Sequence, residues 1–278
     1  MTKHFRFGVV AGFAPDAGSW TALARRAEDQ GYSTFLVPDT LGTLPPLLAL
    51  TAAATATTTL RLGTFVLSAP YRRPQQLAWE LAGLDFLSGG RLELGVGTGR
   101  AAAETEAGLL GMPYGTAGRR IEQIEELIAE VKAAFGGERR FTGAIQKDGP
   151  PLLLAAAGER MLTLAAKEAD SVTFALPPAA PPHSLHRPLA VLEEKAGARF
   201  GQIELSHNVH LVGDDPPPWL VPLLHGAGPG SLAVLDGSPR EMADTLLRRR
   251  DELGISYVTV NAVFADAFAP VADLLSGA

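Results

Sequence analysis

The feature of this sequence that most constrains its fold is the alternation of strand-like apolar runs with segments of helical periodicity. The eight strand-like runs begin at Phe5, Ser33, Leu60, Arg91, Pro151, Ser171, Ile203 and Ile255. Each run is followed by a segment whose apolar residues recur at helical spacing. Such alternation over 278 residues predicts an α/β (β/α)8 TIM barrel, with an open doubly wound sheet as the competing architecture.

Two regions interrupt the alternation. The polar run from Glu138 to Pro150 follows the fourth main helix, Gly118 to Gly136, and predicts an insertion after it. Long loops rich in proline and glycine surround the seventh strand: Pro177 to His186 before it and Asp214 to Pro229 after it. No change of composition marks a domain boundary, so we expect one barrel domain over residues 1–278.

Composition excludes several classes of function. A net charge of −6 argues against general binding of nucleic acid or anionic membrane surfaces. No stretch approaches the ~18 apolar residues of a membrane span, and the apolar run near the start predicts a first strand, Phe5 to Ala11, better than a signal peptide. The absence of cysteine removes disulfides, thiolate metal sites and a cysteine nucleophile, and favours a cytoplasmic location.

In a (β/α)8 barrel the residues that follow each strand build the active site. After the second strand these residues include Asp39 and Thr40, and after the fourth they are Gly97, Thr98, Gly99 and Arg100. After the fifth strand they are Ala157, Gly158, Glu159 and Arg160. This strand turns directly into a helix, whose N-terminal N–H groups attract a phosphate, so we expect the phosphate cradle there.

Four arginines at these strand ends (Arg72, Arg73, Arg100 and Arg160) favour an anionic ligand. The competing interpretation of each single arginine is solvated charge on a rim.

The spacing of the residues argues against a dinucleotide site, a shared histidine metal site and a serine nucleophile elbow. The run from Gly95 to Arg100 is not a dinucleotide fingerprint, because Arg100 stands at the third glycine position and residues 107–120 contain no acidic residue. His207 and His210 lie three apart on a predicted strand, so we expect them to face opposite sides and to share no metal. No G-x-S-x-G elbow occurs. Without a metal site or an activated nucleophile, a bound organic cofactor is the expected source of chemistry.

Several segments together resemble the bacterial luciferase-like monooxygenase superfamily. They are Leu62 to Leu67, Arg73-Pro74 with Gln76 to Ala78, Leu84 to Gly99, Gly158 to Asp170, Gly237 to Glu241, and Leu253 to Ile255. The resemblance implies a barrel that binds FMN or the deazaflavin coenzyme F420, with the ring across the barrel mouth and the phosphate at the fourth and fifth strand ends. It also implies a small-molecule substrate and a homodimer.

In the deazaflavin-dependent branch, a non-prolyl cis peptide at the end of the third strand backs the ring. By position this bond would join Phe65 to Val66, although two ordinary strand residues remain an open alternative. Gly97, Thr98 and Gly99 would then form a close-approach wall beside the cofactor.

The chain departs from this family pattern at two positions. Many deazaflavin-dependent members carry Asp-His after the second strand, where this chain has Asp39-Thr40, and some carry a glutamate where it has Arg100. Asp39 and Thr40 are therefore the candidate catalytic residues, while backbone capping by Asp39 is at least as probable.

Three hypotheses follow from these residues. The first is an oxidoreductase that transfers hydride between F420 and a small organic substrate. The arginines favour this hypothesis, because they suit the anionic oligoglutamate tail of that coenzyme. The alternatives are an FMN-dependent monooxygenase that uses oxygen, and a non-catalytic member that binds cofactor or a partner without turnover.

Overall fold

The computed structural model describes residues 3–139, 141 and 143–277, which divide into two compact units. The N-terminal unit comprises residues 11–29 and 34–155, and the C-terminal unit comprises residues 3–10, 30–33 and 156–277. The elements in chain order are β1 (Arg6–Val10), α1 (Ala17–Asp29), β2 (Thr34–Val37), α2 (Pro46–Ala56), β3 (Arg61–Thr64), β4 (Leu67–Ser68), α3 (Pro74–Ser88), β5 (Leu92–Gly97), α4 (Ala103–Leu109), α5 (Ala117–Phe135), β6 (Leu152–Ala156), α6 (Glu159–Glu168), β7 (Ser171–Phe174), α7 (His186–Ala196), β8 (Glu204–Val209), β9 (Leu211–Val212), α8 (Val221–Leu224), β10 (Val234–Leu235), α9 (Pro239–Leu253), β11 (Ile255–Asn261) and α10 (Ala265–Leu275).

The strand pairs of the N-terminal unit are parallel. Strand β2 pairs with β3, with Thr34 opposite Arg61. Strand β5 pairs with β3, with β4 and with β6. Every residue of β2 and of β5 is buried, as in parallel strands that are covered on both faces. Parallel pairing places the carboxyl ends of these strands at the same edge of the sheet.

The C-terminal unit repeats this arrangement. Strand β11 pairs in parallel with β1 and with β8, and β8 pairs in parallel with β7. A second, two-stranded sheet joins β9 to β10. Helix α9 begins with the predicted capping box, in which the Ser238 hydroxyl accepts from the Glu241 N–H and the Glu241 carboxylate accepts from the Ser238 N–H.

The predicted insertion is confirmed, because residues 138–139, 141 and 143–150 contain no helix or strand. A buried carboxylate of α3 holds this segment: Asp85 Oδ2 accepts from Ile145 N at 2.7 Å and from Gln146 N at 3.0 Å. The buried carboxylate thus satisfies the backbone of a segment that has no strand partner.

The structure differs from the sequence prediction at the third and seventh strands. The run from Leu60 to Leu67 is not one strand, since Phe65 and Val66 separate β3 from β4. The predicted strand from Ile203 to Val212 ends at Val209, and β9 follows after His210. Phe65 and Val66 continue an apolar run, and His210 falls on the polar positions of an alternating pattern, which is why periodicity does not show the two breaks. No helix within the described residues has both the length and the apolar character that crossing a bilayer requires.

Candidate functional site

The carboxyl end of the third strand is shaped by an irregular backbone. The peptide bond between Phe65 and Val66 is cis, as the family resemblance implies. Both side chains are half-buried, and the chain then enters β4 and a short 3-10 turn, Ala69–Tyr71. Parallel pairing of β4 with β5 places Ser68 opposite Gly97.

The glycines of β5 let this irregular backbone lie close. A Cβ at Gly95 would stand 2.1 Å from the Thr64 carbonyl oxygen, and one at Gly97 would stand 2.9 Å from Val66 Cγ2. A Cβ on Gly99, whose φ is +91°, would stand 2.9 Å from Ser68 Oγ. The space beside Gly95 and Gly97 is therefore filled by the protein's own third strand.

Asp39, which follows β2, anchors this strand end. Its carboxylate accepts from Ser68 N at 2.9 Å and from both terminal nitrogens of Arg72, at 2.5 and 3.0 Å. Its side chain is only 5% exposed. Both carboxylate oxygens are engaged, which matches a capping role. The neighbouring Thr40 is half-buried, and its carbonyl accepts from the Thr43 N–H at 3.0 Å in a tight turn.

A second carboxylate lies nearby on α4. Glu106 accepts hydrogen bonds from the Tyr71 hydroxyl and from Arg100 Nη2. Burial, together with Glu106, raises the pKa of Tyr71 to about 12, so the phenol is protonated at neutral pH. Sequence reasoning missed Glu106, because it lies six residues beyond Arg100 on a helix that the sequence shows only as an Ala/Glu-rich connection.

These two ion pairs change the interpretation of the arginines. Arg72 is paired with Asp39 and Arg100 with Glu106, so carboxylates already compensate two of the four charges expected to favour an anionic ligand. Arg73 and Arg160 are exposed. The predicted positive rim is therefore smaller than the sequence indicates.

A second buried hydroxyl lies beside Tyr71 at this strand end. Ser68 is buried, and the hydrogen bond between its side chain and Tyr71 acts to lower the pKa of the phenol, against the larger effects of burial and of Glu106.

In the C-terminal unit, the turn from β6 into α6 is open. Ala157, Gly158, Glu159 and Arg160 are all exposed, and Gly158 is the N-cap of α6. Nothing lies within 4 Å of the position a Cβ would occupy on Gly158. The first N–H groups of a helix have no partner within the helix, so this turn can accept an anion, with the Glu159 carboxylate as the opposing charge.

The predicted site residues thus fall into two groups. The N-terminal unit contains Asp39, Thr40, Phe65, Val66, Gly97, Thr98 and Gly99, and the C-terminal unit contains Ala157 to Arg160. His207 and His210 line one small cavity in the C-terminal unit, together with Asn208 between them, and His210 lies beyond the end of β8. Within the described part of the chain, no three His, Asp or Glu side chains form a group that could hold a metal ion.

Comparison with known proteins gives the family. The model of the luciferase-like monooxygenase family matches residues 5–217. The chain is 34% identical over 180 residues to an F420-dependent glucose-6-phosphate dehydrogenase of Beutenbergia cavernae, covering 57% of this chain and 52% of that protein. It is 32% identical over 124 residues to the oxygenase component of a flavin-dependent trigonelline monooxygenase of Acinetobacter baylyi, covering 40% of this chain and 34% of that protein. The chain thus spans about half or less of the length of these relatives.

A solved structure gives the fold. The coenzyme F420-dependent tetrahydromethanopterin reductase of Methanopyrus kandleri matches with a TM-score of 0.73 over 97% of both chains, at 17% sequence identity. The predicted (β/α)8 barrel fold is confirmed. The relatives are oxidoreductases and monooxygenases that use F420 or a flavin. With a family model that covers most of its length, the chain belongs to the luciferase-like monooxygenase family of enzymes.

Proposed function

We propose that this protein is an oxidoreductase that transfers a hydride between coenzyme F420 and a small organic substrate. Membership of a family whose relatives include F420-dependent enzymes supports the proposal. The observation on this chain that carries it is the pair of buried hydroxyls, those of Ser68 and Tyr71, at the carboxyl end of β4. Barrel enzymes place their ligands at such strand ends.

We assign one group of residues to the ring of the cofactor and another to its phosphate. In the N-terminal unit, Phe65, Val66, Gly97, Thr98 and Gly99 would flank the ring, and the Ser68 hydroxyl would donate to one of its polar atoms. In the C-terminal unit, Ala157, Gly158 and Glu159 would offer helix N–H groups to the phosphate, and Arg160 would add a charge-assisted bond. When bound, the deazaflavin supplies two-electron hydride chemistry.

The chain's own polar groups would position that cofactor. Asp39 holds Ser68 N and Arg72, so we assign it to positioning the strand end rather than to proton transfer. Thr40, half-buried next to it, remains the candidate to donate a hydrogen bond to substrate. Tyr71 keeps its proton at neutral pH and holds Glu106, which also binds Arg100.

An FMN-dependent monooxygenase is the second candidate. The two arginine–carboxylate pairs favour it, because they reduce the positive charge that would attract the oligoglutamate tail of F420. The similarity to a flavin-dependent monooxygenase points the same way.

Turnover assays separate these candidates. The protein is mixed with oxidised F420 and either glucose 6-phosphate or 2-propanol, and loss of the absorbance of the oxidised coenzyme is followed without oxygen. A parallel assay follows oxygen consumption with reduced FMN. We expect F420 reduction that requires the protein and a substrate. Oxygen consumption with FMN, and no F420 reduction, would support the monooxygenase instead.

We also propose a homodimer in which a second copy covers helices α2 and α3. These neighbouring helices expose large apolar side chains, including Leu48 at 72%, Leu87 at 58% and Trp79 at 55%. A groove between them is lined mainly by proline, leucine and glycine. Interfaces of permanent homodimers resemble a domain core cut in half, which suits so apolar a surface. Sedimentation should give a dimer for the wild type and a monomer for Leu48→Glu. A monomeric wild type would refute the proposal.

A further inference from the structure

Two long loops of the C-terminal unit are joined to each other. The first loop, residues 175–185, follows β7, and the second loop, residues 213–233, follows β9. Leu232 N donates to the Ala180 carbonyl at 2.9 Å, which links the end of the second loop to the middle of the first. We call residues 231–235, which include β10, the strap.

A buried arginine of α9 holds the strap from one side. Arg249 is only 5% exposed. Its guanidinium donates to the carbonyls of Leu232 at 3.0 Å, Ser231 at 2.9 Å and Val234 at 3.3 Å. Burial lowers the pKa of Arg249 to about 10, so the group stays charged at neutral pH. A planar fork of donors suits three convergent carbonyls better than an ammonium group does.

Strand β8 and its continuation hold the strap from the other side. His207 Nε2 donates to the Leu232 carbonyl, so this oxygen accepts from both His207 and Arg249. Burial, with a contribution from the Arg249 charge, lowers the pKa of His207 to about 3, so the ring is neutral. His210 N and Leu211 N both donate to the Ala233 carbonyl, at 2.8 and 3.0 Å.

The joined loops border a small cavity that polar side chains of β8 and His210 also line. Leu176, Pro177 and Leu185 of the first loop line it together with Leu232 and Ala233 of the strap. The first loop follows the carboxyl end of β7, and the strap packs beside the end of β8. Loops at the carboxyl ends of barrel strands build the active site.

We propose that Arg249 is a positioning residue that fixes both loops as one wall on the substrate side of the site. The inference rests on the proposed function, because the wall is assigned to substrate and not to cofactor. Without the guanidinium the strap becomes more mobile. The first loop becomes more mobile with it, because the Leu232–Ala180 hydrogen bond joins the two segments. Arg249 itself touches neither substrate nor cofactor.

Amide hydrogen exchange tests the coupling without any ligand. In Arg249→Met, the amides of Leu176, Ala179 and Ala180 in the first loop and those of residues 231–235 should exchange about ten-fold faster, as loss of roughly 1.4 kcal/mol of local stability gives. Strand β11 should keep its protection. Arg248→Met is the matched control, since Arg248 is the exposed neighbour on the same helix, and it should exchange like the wild type. Arg249→Lys should restore part of the protection, because an ammonium can still donate to carbonyls.

Faster exchange in residues 231–235 with no change at Leu176, Ala179 and Ala180 would overturn the proposed coupling, as would wild-type exchange in both segments. If Arg249→Met does not fold, Arg249→Lys is used for the test. We then expect an intermediate increase of the exchange rate in both segments. An unchanged exchange rate in both segments would overturn the proposal.

Kinetics connect the wall to substrate. For whichever of glucose 6-phosphate and 2-propanol the wild type oxidises, Arg249→Lys should raise KM about five-fold, which is roughly 1 kcal/mol of substrate binding, and leave kcat nearly unchanged. Its F420 affinity should stay within about two-fold of wild type. An equal loss of F420 affinity would overturn the assignment to substrate. A wild type that does not bind F420 would refute the proposed function, while the exchange experiment would still decide the coupling.

Discussion

Asp39 offers the sharpest distinction between an anchoring and a catalytic carboxylate. Asp39→Ala removes one bond to a buried N–H, that of Ser68, and two bonds from Arg72. The buried donor left without a partner costs about 1–3 kcal/mol. The Arg72 side chain is 23% exposed and can be partly rehydrated, so its loss adds only about 1 kcal/mol. We expect a total loss of about 3 kcal/mol in the free energy of unfolding.

Asp39→Asn refines this expectation. The asparagine oxygen can still accept from Ser68 N, but the charge opposite Arg72 is gone, so about half of the loss should remain. Urea unfolding followed by both circular dichroism and tryptophan fluorescence measures these values, and coincidence of the two transitions checks two-state behaviour. A double-mutant cycle with Arg72→Met should give a coupling of about 1–2 kcal/mol.

A catalytic role of Asp39 would give a different result. If Asp39→Ala and Asp39→Asn abolish turnover while each costs less than about 0.5 kcal/mol of stability, the carboxylate acts in catalysis and the anchoring argument is wrong. Parallel losses of stability and of cofactor affinity, with residual turnover in Asp39→Asn, would support anchoring.

Further predictions concern packing, pH and cofactor binding. Gly95→Ala should prevent folding or cost more than about 4 kcal/mol of stability, because its Cβ would stand 2.1 Å from a main-chain oxygen. Gly158→Ala places its Cβ in open space and should cost under about 1 kcal/mol. Thermal unfolding of the two variants measures the difference. For Glu28, burial raises the pKa, but hydrogen bonds from the N–H groups of Thr59, Leu60 and Thr58 outweigh it and hold the pKa at about 2. Because the pKa of Glu28 is depressed in the folded state, its stabilisation is present above the unfolded value near 4.5 and is lost as pH falls towards 2. The stability difference between wild type and Glu28→Gln should therefore shrink between pH 6 and pH 3. A stability difference that stays constant with pH would contradict this expectation. Ser68→Ala should weaken F420 binding about five- to ten-fold and cost less than about 1 kcal/mol of stability, as measured by fluorescence titration and urea unfolding, since the hydroxyl is proposed to donate to the cofactor.

Periodicity was sufficient to predict most of the secondary structure. Helix α5 buries Ile124, Leu127, Ile128 and Val131, the stripe that the sequence shows, and the capping box marks the start of α9. Periodicity could not reveal the break between β3 and β4. All residues from Leu62 to Leu67 except Gly63 and Thr64 are apolar, as in one uninterrupted strand. Only the resemblance to a family indicated the unusual bond there.

The site was less accessible to sequence reasoning. From the sequence, Arg72 and Arg100 are expected to be unpaired charges. Asp39 lies 33 residues from Arg72 and Glu106 lies six residues from Arg100, and neither spacing predicts an ion pair. Arg249 did carry a signal. The phase of α9 puts Met242, Leu246 and Leu253 inward, and Arg249 falls on that face. An arginine on an inward helical face is a candidate for a buried structural bond.

The proposed function requires that this chain bind F420 in preference to FMN. A fluorescence titration of the purified protein with each cofactor measures it directly, with Ser68→Ala and Gly158→Asp as variants at the two groups of proposed contacts. We predict at least about ten-fold tighter binding of F420 than of FMN, which is roughly 1.4 kcal/mol, and weaker binding of F420 by both variants. Tighter binding of FMN would contradict the claim and support the monooxygenase, and binding of neither cofactor would refute both candidate functions.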